Sequence, residues 1–168
     1  MNDILAAWNE ANETTALDAM IACCGARRWA EAMVALRPIE NVFALSEAAD
    51  RVWSTMQEPD WMEAFACHPR IGELKAHATA KSVAWSRQEQ SSAASSADRT
   101  RAELAAGNAL YEERFGFTYI VCATGKSAEE MLAILKRRLE SDRATELKEA
   151  AEQQRQITQI RLGKWLVE

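Results

Sequence analysis

Strict alternation of apolar and polar residues, the mark of a half-buried strand, is almost absent from this chain. Apolar positions recur instead at spacings of three and four. Val42, Leu45, Ala49, Val52 and Trp53 form such a stripe within Asn41 to Met56. Ala, Leu, Glu, Arg, Lys and Gln fill the positions between, and only six Gly and three Pro interrupt them. These features predict an all-α fold, a single-domain bundle of about eight or nine helices.

Cap and stop signals place the elements. Asn2 or Asp3 caps a short first helix, and further helices run over Thr15 to Cys24 and Arg27 to Leu36. The first of these two ends at Gly25 and the second at Pro38. Asp60 and Glu63 read as a capping box for Trp61 to Cys67, and Pro69 forces His68 out of helical geometry. Ile71 to Trp85 reads as loop with a helical turn. Ser86 and Glu89 read as a second capping box, and Ser91 to Ser96 as a bend. A long helix covers Arg99 to Phe115, and Gly116 to Thr124 is the single extended piece. Ser127 and Glu130 cap another helix, and the last runs from Arg143 to Leu166. No repeat, linker or second composition regime divides residues 1–168, which read as one domain.

With 48% hydrophobic residues a sizeable core can be buried. Net charge is −5 and no basic block exists, which argues against a nucleic-acid or anionic-membrane surface. No apolar run approaches the roughly 20 residues a bilayer requires. The first residues lack the basic and apolar regions of a signal peptide, and the last four, Trp165 to Glu168, are not a peroxisomal address, so the expected location is cytoplasmic. Cys23, Cys24, Cys67 and Cys122 show neither C-x-x-C nor metal-ligand spacing and read as thiols. Phosphate-binding glycine loops, nucleophile elbows and His/Cys metal sets are absent from the sequence, so no metal site is expected.

Four features could carry chemistry. His68, one of two histidines, is either a proton-handling group or an imidazole stabilised by a helix C-terminus; His77 reads as a surface residue. Glu89, with Gln90 and Ser86, is either a capping residue or part of a carboxylate–amide–hydroxyl cluster suited to a urea-like group. Arg161 lies four residues from both Ile157 and Trp165. It is either an inward guanidinium awaiting an anion or a snorkelling side chain. The stretch Phe117 to Ala123 has backbone groups needing partners, from the protein or from a small polar ligand.

Taken together, five motifs resemble the 2-oxo-4-hydroxy-4-carboxy-5-ureidoimidazoline (OHCU) decarboxylase family. They are His68-Pro69-Arg70-Ile71-Gly72, Glu89-Gln90 within Ser86 to Ser91, Asn108 to Phe117 running into Tyr119 to Ala123, Ile160-Arg161-Leu162, and the early Cys23 to Trp29. The resemblance implies a cofactor-free homodimeric carboxy-lyase of urate degradation that forms (S)-allantoin. His68 would be its catalytic residue, and Glu89 and Arg161 would hold and activate the substrate. Pro69, Ser86, Arg87, Gln88, Glu89, Gln90, Tyr119, Ile120, Val121, Cys122 and Ala123 would line the pocket. A non-catalytic helical interaction module and a cofactor-free ureide hydrolase are the competing readings.

Overall fold

The structure, a computed structural model, describes residues 1–70, 80–90 and 98–168. Among the described residues it contains nine helices and no strand: α1 (Asp3–Glu10), α2 (Glu13–Cys23), α3 (Arg27–Ala35), α4 (Val42–Ser54), α5 (Glu58–Ala66), α6 (Ala80–Glu89), α7 (Asp98–Phe115), α8 (Ala128–Arg138) and α9 (Arg143–Trp165). The all-α expectation and the helix count hold. None of these helices is long and apolar enough to cross a membrane.

Local capping explains most of the boundaries. Asn2, Asn12, Asn41 and Ser127 each accept a backbone N–H from three residues on, which satisfies an otherwise orphaned donor in the first turn. Two predicted starts are wrong. The backbone carbonyl of Gln57, not Asp60, opens α5, by accepting from Asp60 and Trp61; the Asp60 carboxylate reaches back to the Gln57 N–H at 3.0 Å. The acid is therefore the returning half of the cap. Ser86 does not open a helix either: α6 begins at Ala80 and ends at Glu89. Ser82, Trp85, Ser86 and Glu89 form one buried face at helical spacing, so the Ser–x–x–Glu pattern marks a face and not an end. The loop expected over Ile71 to Trp85 is thus helical from Ala80. Its earlier part, His77 included, and the bend expected at Ser91 to Ser96 lie outside the described residues.

Two compact units divide the chain. Residues 1–64 and 155–168 form one. In it, Trp8 donates to Ala16 O at 2.9 Å and meets Trp165 edge-on at 6.0 Å between centroids, and Trp29 donates to Ala49 O at 3.1 Å. Arg37 donates to Trp8 O and Ala11 O at 2.7 Å each, covering carbonyls left open at the end of α1. Gln159 bonds Ser46 and Asp50.

Residues 65–154 form the other unit. Gly107 in α7 faces the buried Leu135 of α8, so closely that a Cβ there would lie 2.6 Å from Leu135 Cδ2. Phe65, Tyr111, Phe115, Phe117 and Tyr119 build an aromatic cluster with centroid separations from 4.7 to 6.3 Å. The stretch predicted as extended, Gly116 to Thr124, follows α7 without joining any sheet.

Candidate active site

α5 ends at Ala66, and the His68 N–H donates to Phe65 O at 3.1 Å as the chain turns into the buried Pro69. The imidazole is buried, and its Nε2 lies 2.6 Å from Oε1 of Gln154, itself wholly buried on α9. The ring just beyond the end of α5 is thus a buried group bonded within the protein. Arg70 leaves the turn in a forked ion pair with Glu112, at 2.7 and 2.5 Å.

Ser86 and Glu89 are buried on one face of α6, whereas Arg87 and Gln88 are exposed; Gln90 follows the helix and is half-buried. The side chains of Arg87 and Gln88 are therefore not gathered with those of Ser86 and Glu89. Glu89 sits at the C-terminal end of α6, where the helix dipole disfavours an anion. Capping does not explain its burial.

Segment 119–123 is buried throughout. Tyr119 turns into the core, its hydroxyl donating to Met131 O at 3.0 Å. Burial pushes that hydroxyl's pKa well above the usual tyrosine range, against the pull of the Arg138 charge. Three polar side chains hold the segment's backbone. Arg138 donates to Ile120 O at 2.5 Å, Gln153 Oε1 accepts from Cys122 N–H at 2.8 Å, and Lys126 Nζ donates to Cys122 O at 2.7 Å. Among the described residues, the N–H groups of Ile120, Val121 and Ala123 have no hydrogen-bond partner. Buried backbone donors in that condition are rare, and they suit a small ligand bearing carbonyl or carboxylate oxygens.

Arg138 is itself buried with Glu146 and Tyr111. Its Nε donates to Glu146 Oε1 at 2.5 Å, and the Tyr111 hydroxyl donates to the same carboxylate. Burial alone would weaken the Arg138 charge, but the hydrogen bond to Glu146 prevails and raises its pKa. Tyr111 is pushed upward, first by burial.

Arg161 belongs to the first unit, where it is 4% exposed, and Ile157 and Trp165 on the same helix face are buried as well. It does not snorkel. Within the second unit, successive residues of α9 reach His68 and segment 119–123, which brings those two predicted features to one turn of helix. Gln153, Gln154, Lys126, Arg138 and Glu146 were not expected from the sequence. Gln and Lys are ordinary helix-surface residues, and nothing local marks which of Lys136, Arg137 and Arg138 turns inward.

His68, Glu89, Ser86 and the backbone of 119–123 are each buried polar groups of kinds that serve proton transfer and the binding of a small polar molecule. Comparison with known proteins points the same way. The OHCU decarboxylase family matches residues 9–163. The uric acid degradation bifunctional protein TTL of Arabidopsis thaliana is 38% identical over 144 residues, covering 84% of this chain but only 44% of that protein's length. A 2-oxo-4-hydroxy-4-carboxy-5-ureidoimidazoline decarboxylase of Haloferax volcanii is 25% identical over 127 residues, 76% of this chain and 74% of its own. A crystal structure of OHCU decarboxylase in the presence of (S)-allantoin superposes with a TM-score of 0.78 at 33% identity, covering 90% of this chain and 99% of that one. This chain belongs to the OHCU decarboxylase family.

Proposed function

We propose that this protein is a carboxy-lyase that converts OHCU to (S)-allantoin and CO2 without metal or organic cofactor, as a cytoplasmic homodimer with one catalytic domain across residues 1–168. Family membership supports the reaction, as does the structural relative described with (S)-allantoin. The observation that carries the proposal is the buried imidazole of His68, whose Nε2 lies 2.6 Å from the buried Gln154 Oε1.

The substrate explains why no cofactor is required. The carbon that loses CO2 also bears a hydroxyl and adjoins a ring carbon doubly bonded to nitrogen. As the carbon–carbon bond breaks, its electron pair forms a carbon–carbon double bond, and the imine pair moves to nitrogen, which takes a proton. The resulting enol returns its hydroxyl proton as that oxygen becomes the allantoin carbonyl, and the neighbouring carbon gains a proton on one face. His68 moves the proton, a role that contributes about 10²- to 10⁴-fold. Glu89 receives N–H donors of the ureido or ring portion. Arg161 holds a substrate oxygen with its planar fork, and the backbone of 120–123 binds the other edge. Pro69, Ser86 and Gln90 complete the pocket, which keeps bulk water from the enol.

The test is turnover of OHCU freshly generated from urate, followed by circular dichroism of the allantoin formed. His68→Ala and His68→Asn are expected to fold and to lose enantiomer formation, and Arg161→Lys to lose part of it. Near-full activity of either His68 variant sinks the assignment.

A further inference from the structure

Two of the open N–H groups in the pocket segment belong to peptides of one kind. Val121 N–H is the far end of the peptide whose carbonyl is Ile120 O, and Ala123 N–H is the far end of the peptide whose carbonyl is Cys122 O. Both peptides are trans, so in each the N–H points away from the carbonyl. Each of these carbonyls accepts a hydrogen bond from a cation. Arg138 Nη1 donates to Ile120 O at 2.5 Å, and Lys126 Nζ donates to Cys122 O at 2.7 Å. Two cations thus hold one edge of the two peptides, and the N–H groups at the opposite edge have no partner among the described residues.

That pairing changes the donors. A hydrogen bond received at a carbonyl draws electrons toward oxygen and leaves the N–H of the same amide more positive. Bonds linked in this way strengthen one another by about 10–30% each, and a charged donor acts more strongly than a neutral one. Arg138 has the geometry for it. Its Nε and Nη2 both meet the carboxylate of Glu146, which fixes the guanidinium plane and leaves Nη1 aimed at Ile120 O. Glu146 is held in turn by the Tyr111 hydroxyl. All three side chains are at most 2% exposed, so little water screens the charge next to the carbonyl. An ion pair that only braced α8 against α9 would need no bond to the pocket segment. Here the third nitrogen of the guanidinium ends on its backbone.

We propose that Arg138 is a positioning residue of the decarboxylase site: fixed by Glu146, it holds and polarises the Ile120–Val121 peptide so that Val121 N–H donates a strengthened hydrogen bond to a substrate oxygen that carries or gains negative charge. Lys126, half-buried, does the same for Ala123 N–H. The proposal rests on segment 120–123 binding OHCU. That molecule offers such oxygens in its carboxylate and in the 2-oxo group beside the imine nitrogen, which gains electron density as CO2 leaves. N–H donors already in place at such an oxygen lower the barrier without reorganising during the reaction.

The peptide can be watched by itself. Ile is followed by Val once in the chain, at 120–121. In full-length protein labelled with ¹³C at the isoleucine carbonyl and ¹⁵N at valine, a single carbonyl–nitrogen correlation reports this peptide. Its N–H proton is expected to move downfield as (S)-allantoin is added. Arg138→Gln/Glu146→Gln removes both charges and strands neither. It is expected to shift the Ile120 carbonyl carbon upfield, to shrink the response of Val121 N–H to (S)-allantoin, and to lower kcat/KM roughly 10-fold, short of the roughly 10²- to 10³-fold lost when such a donor is removed. An unchanged carbonyl or an unchanged kcat/KM in the folded double variant overturns the proposal. So does a Val121 N–H that saturating (S)-allantoin leaves unmoved in the parent protein, even if no variant folds. A protein that neither forms nor binds (S)-allantoin sinks the decarboxylase reading and, with it, the role given to Val121. The carbonyl shift then still decides whether Arg138 polarises the peptide.

Discussion

Replacing Arg138 by methionine removes a side chain that joins the pocket segment to the buried Glu146 of the second unit. Arg138 donates to Ile120 O and to Glu146, and its guanidinium lies over the rings of Tyr119 and Tyr111, at 5.0 and 5.8 Å from their centroids. Methionine fills most of the volume but leaves Glu146, 1% exposed, with only the Tyr111 hydroxyl among the groups described around it. Breaking a buried pair from one side costs about 3–5 kcal/mol, because the remaining charge has lost its water and its partner. For a chain of this size each kcal/mol lowers Tm by roughly 2–4 °C, so the expected fall is roughly 6–20 °C. Adding Glu146→Leu removes the stranded carboxylate. The double variant is therefore expected to be more stable than the sum of the single losses allows, by about 2 kcal/mol in a double-mutant cycle. It does not return to wild type, since Ile120 O and the Tyr111 hydroxyl still lack a partner, at about 1–3 kcal/mol each if neither finds water. Urea unfolding followed by circular dichroism measures all four corners. Additive losses, or an Arg138→Met cost below about 1 kcal/mol, would refute the view of Arg138 and Glu146 as a coupled buried pair.

Two other changes test the packing and the last helix start. Gly107→Ala gains about 0.8–1 kcal/mol of helix propensity but drives a methyl into Leu135, an overpacking cost of about 1–3 kcal/mol. A net loss of about 1 kcal/mol is expected by urea unfolding. Leu135→Val should recover part of it in that background while costing stability in the wild type, and a loss in both backgrounds would count against the clash. Asp142 caps α9 through the Thr145 N–H at 2.7 Å, and that bond, with the Thr145 hydroxyl, holds its carboxyl below the usual range. A lowered folded-state pKa means that the carboxylate stabilises the fold above the ordinary carboxylate range and stops doing so as pH falls through the lowered value. Asp142→Ala should thus lower Tm at neutral pH and match wild type in strong acid; a gap that persists there would contradict the capping role.

Helices were legible where the decisive interaction is local. A side-chain oxygen three residues from the N–H it accepts is visible in the sequence, as at Asn2, Asn41 and Ser127. The errors fell where a local pattern has two physical meanings. Ser86 and Glu89 are three apart both in a capping box and on any helix face, so the spacing alone does not tell an end from a face. Asp60 failed in the same way: its carboxylate returns to an N-cap three residues before it, where the sequence has Gln57.

The site divides along a different line. His68 could be singled out because proline acts on its immediate neighbour, and Arg161 because apolar residues flank it at one helical turn. Gln154, which meets the imidazole, lies 86 residues from it on α9, and two of the three side chains that hold the pocket segment, Arg138 and Gln153, lie 18 and 31 residues from their partners. None of these partners differs in type from residues that face water on ordinary helices, and each acquires its role only when packing strips its water and brings complementary atoms into reach. That stripping is what makes them effective. In water an amide oxygen would hold the His68 proton no better than solvent does. At zero exposure the same oxygen, 2.6 Å from Nε2, stands where solvent would have been and interacts with the ring in a medium that screens it far less.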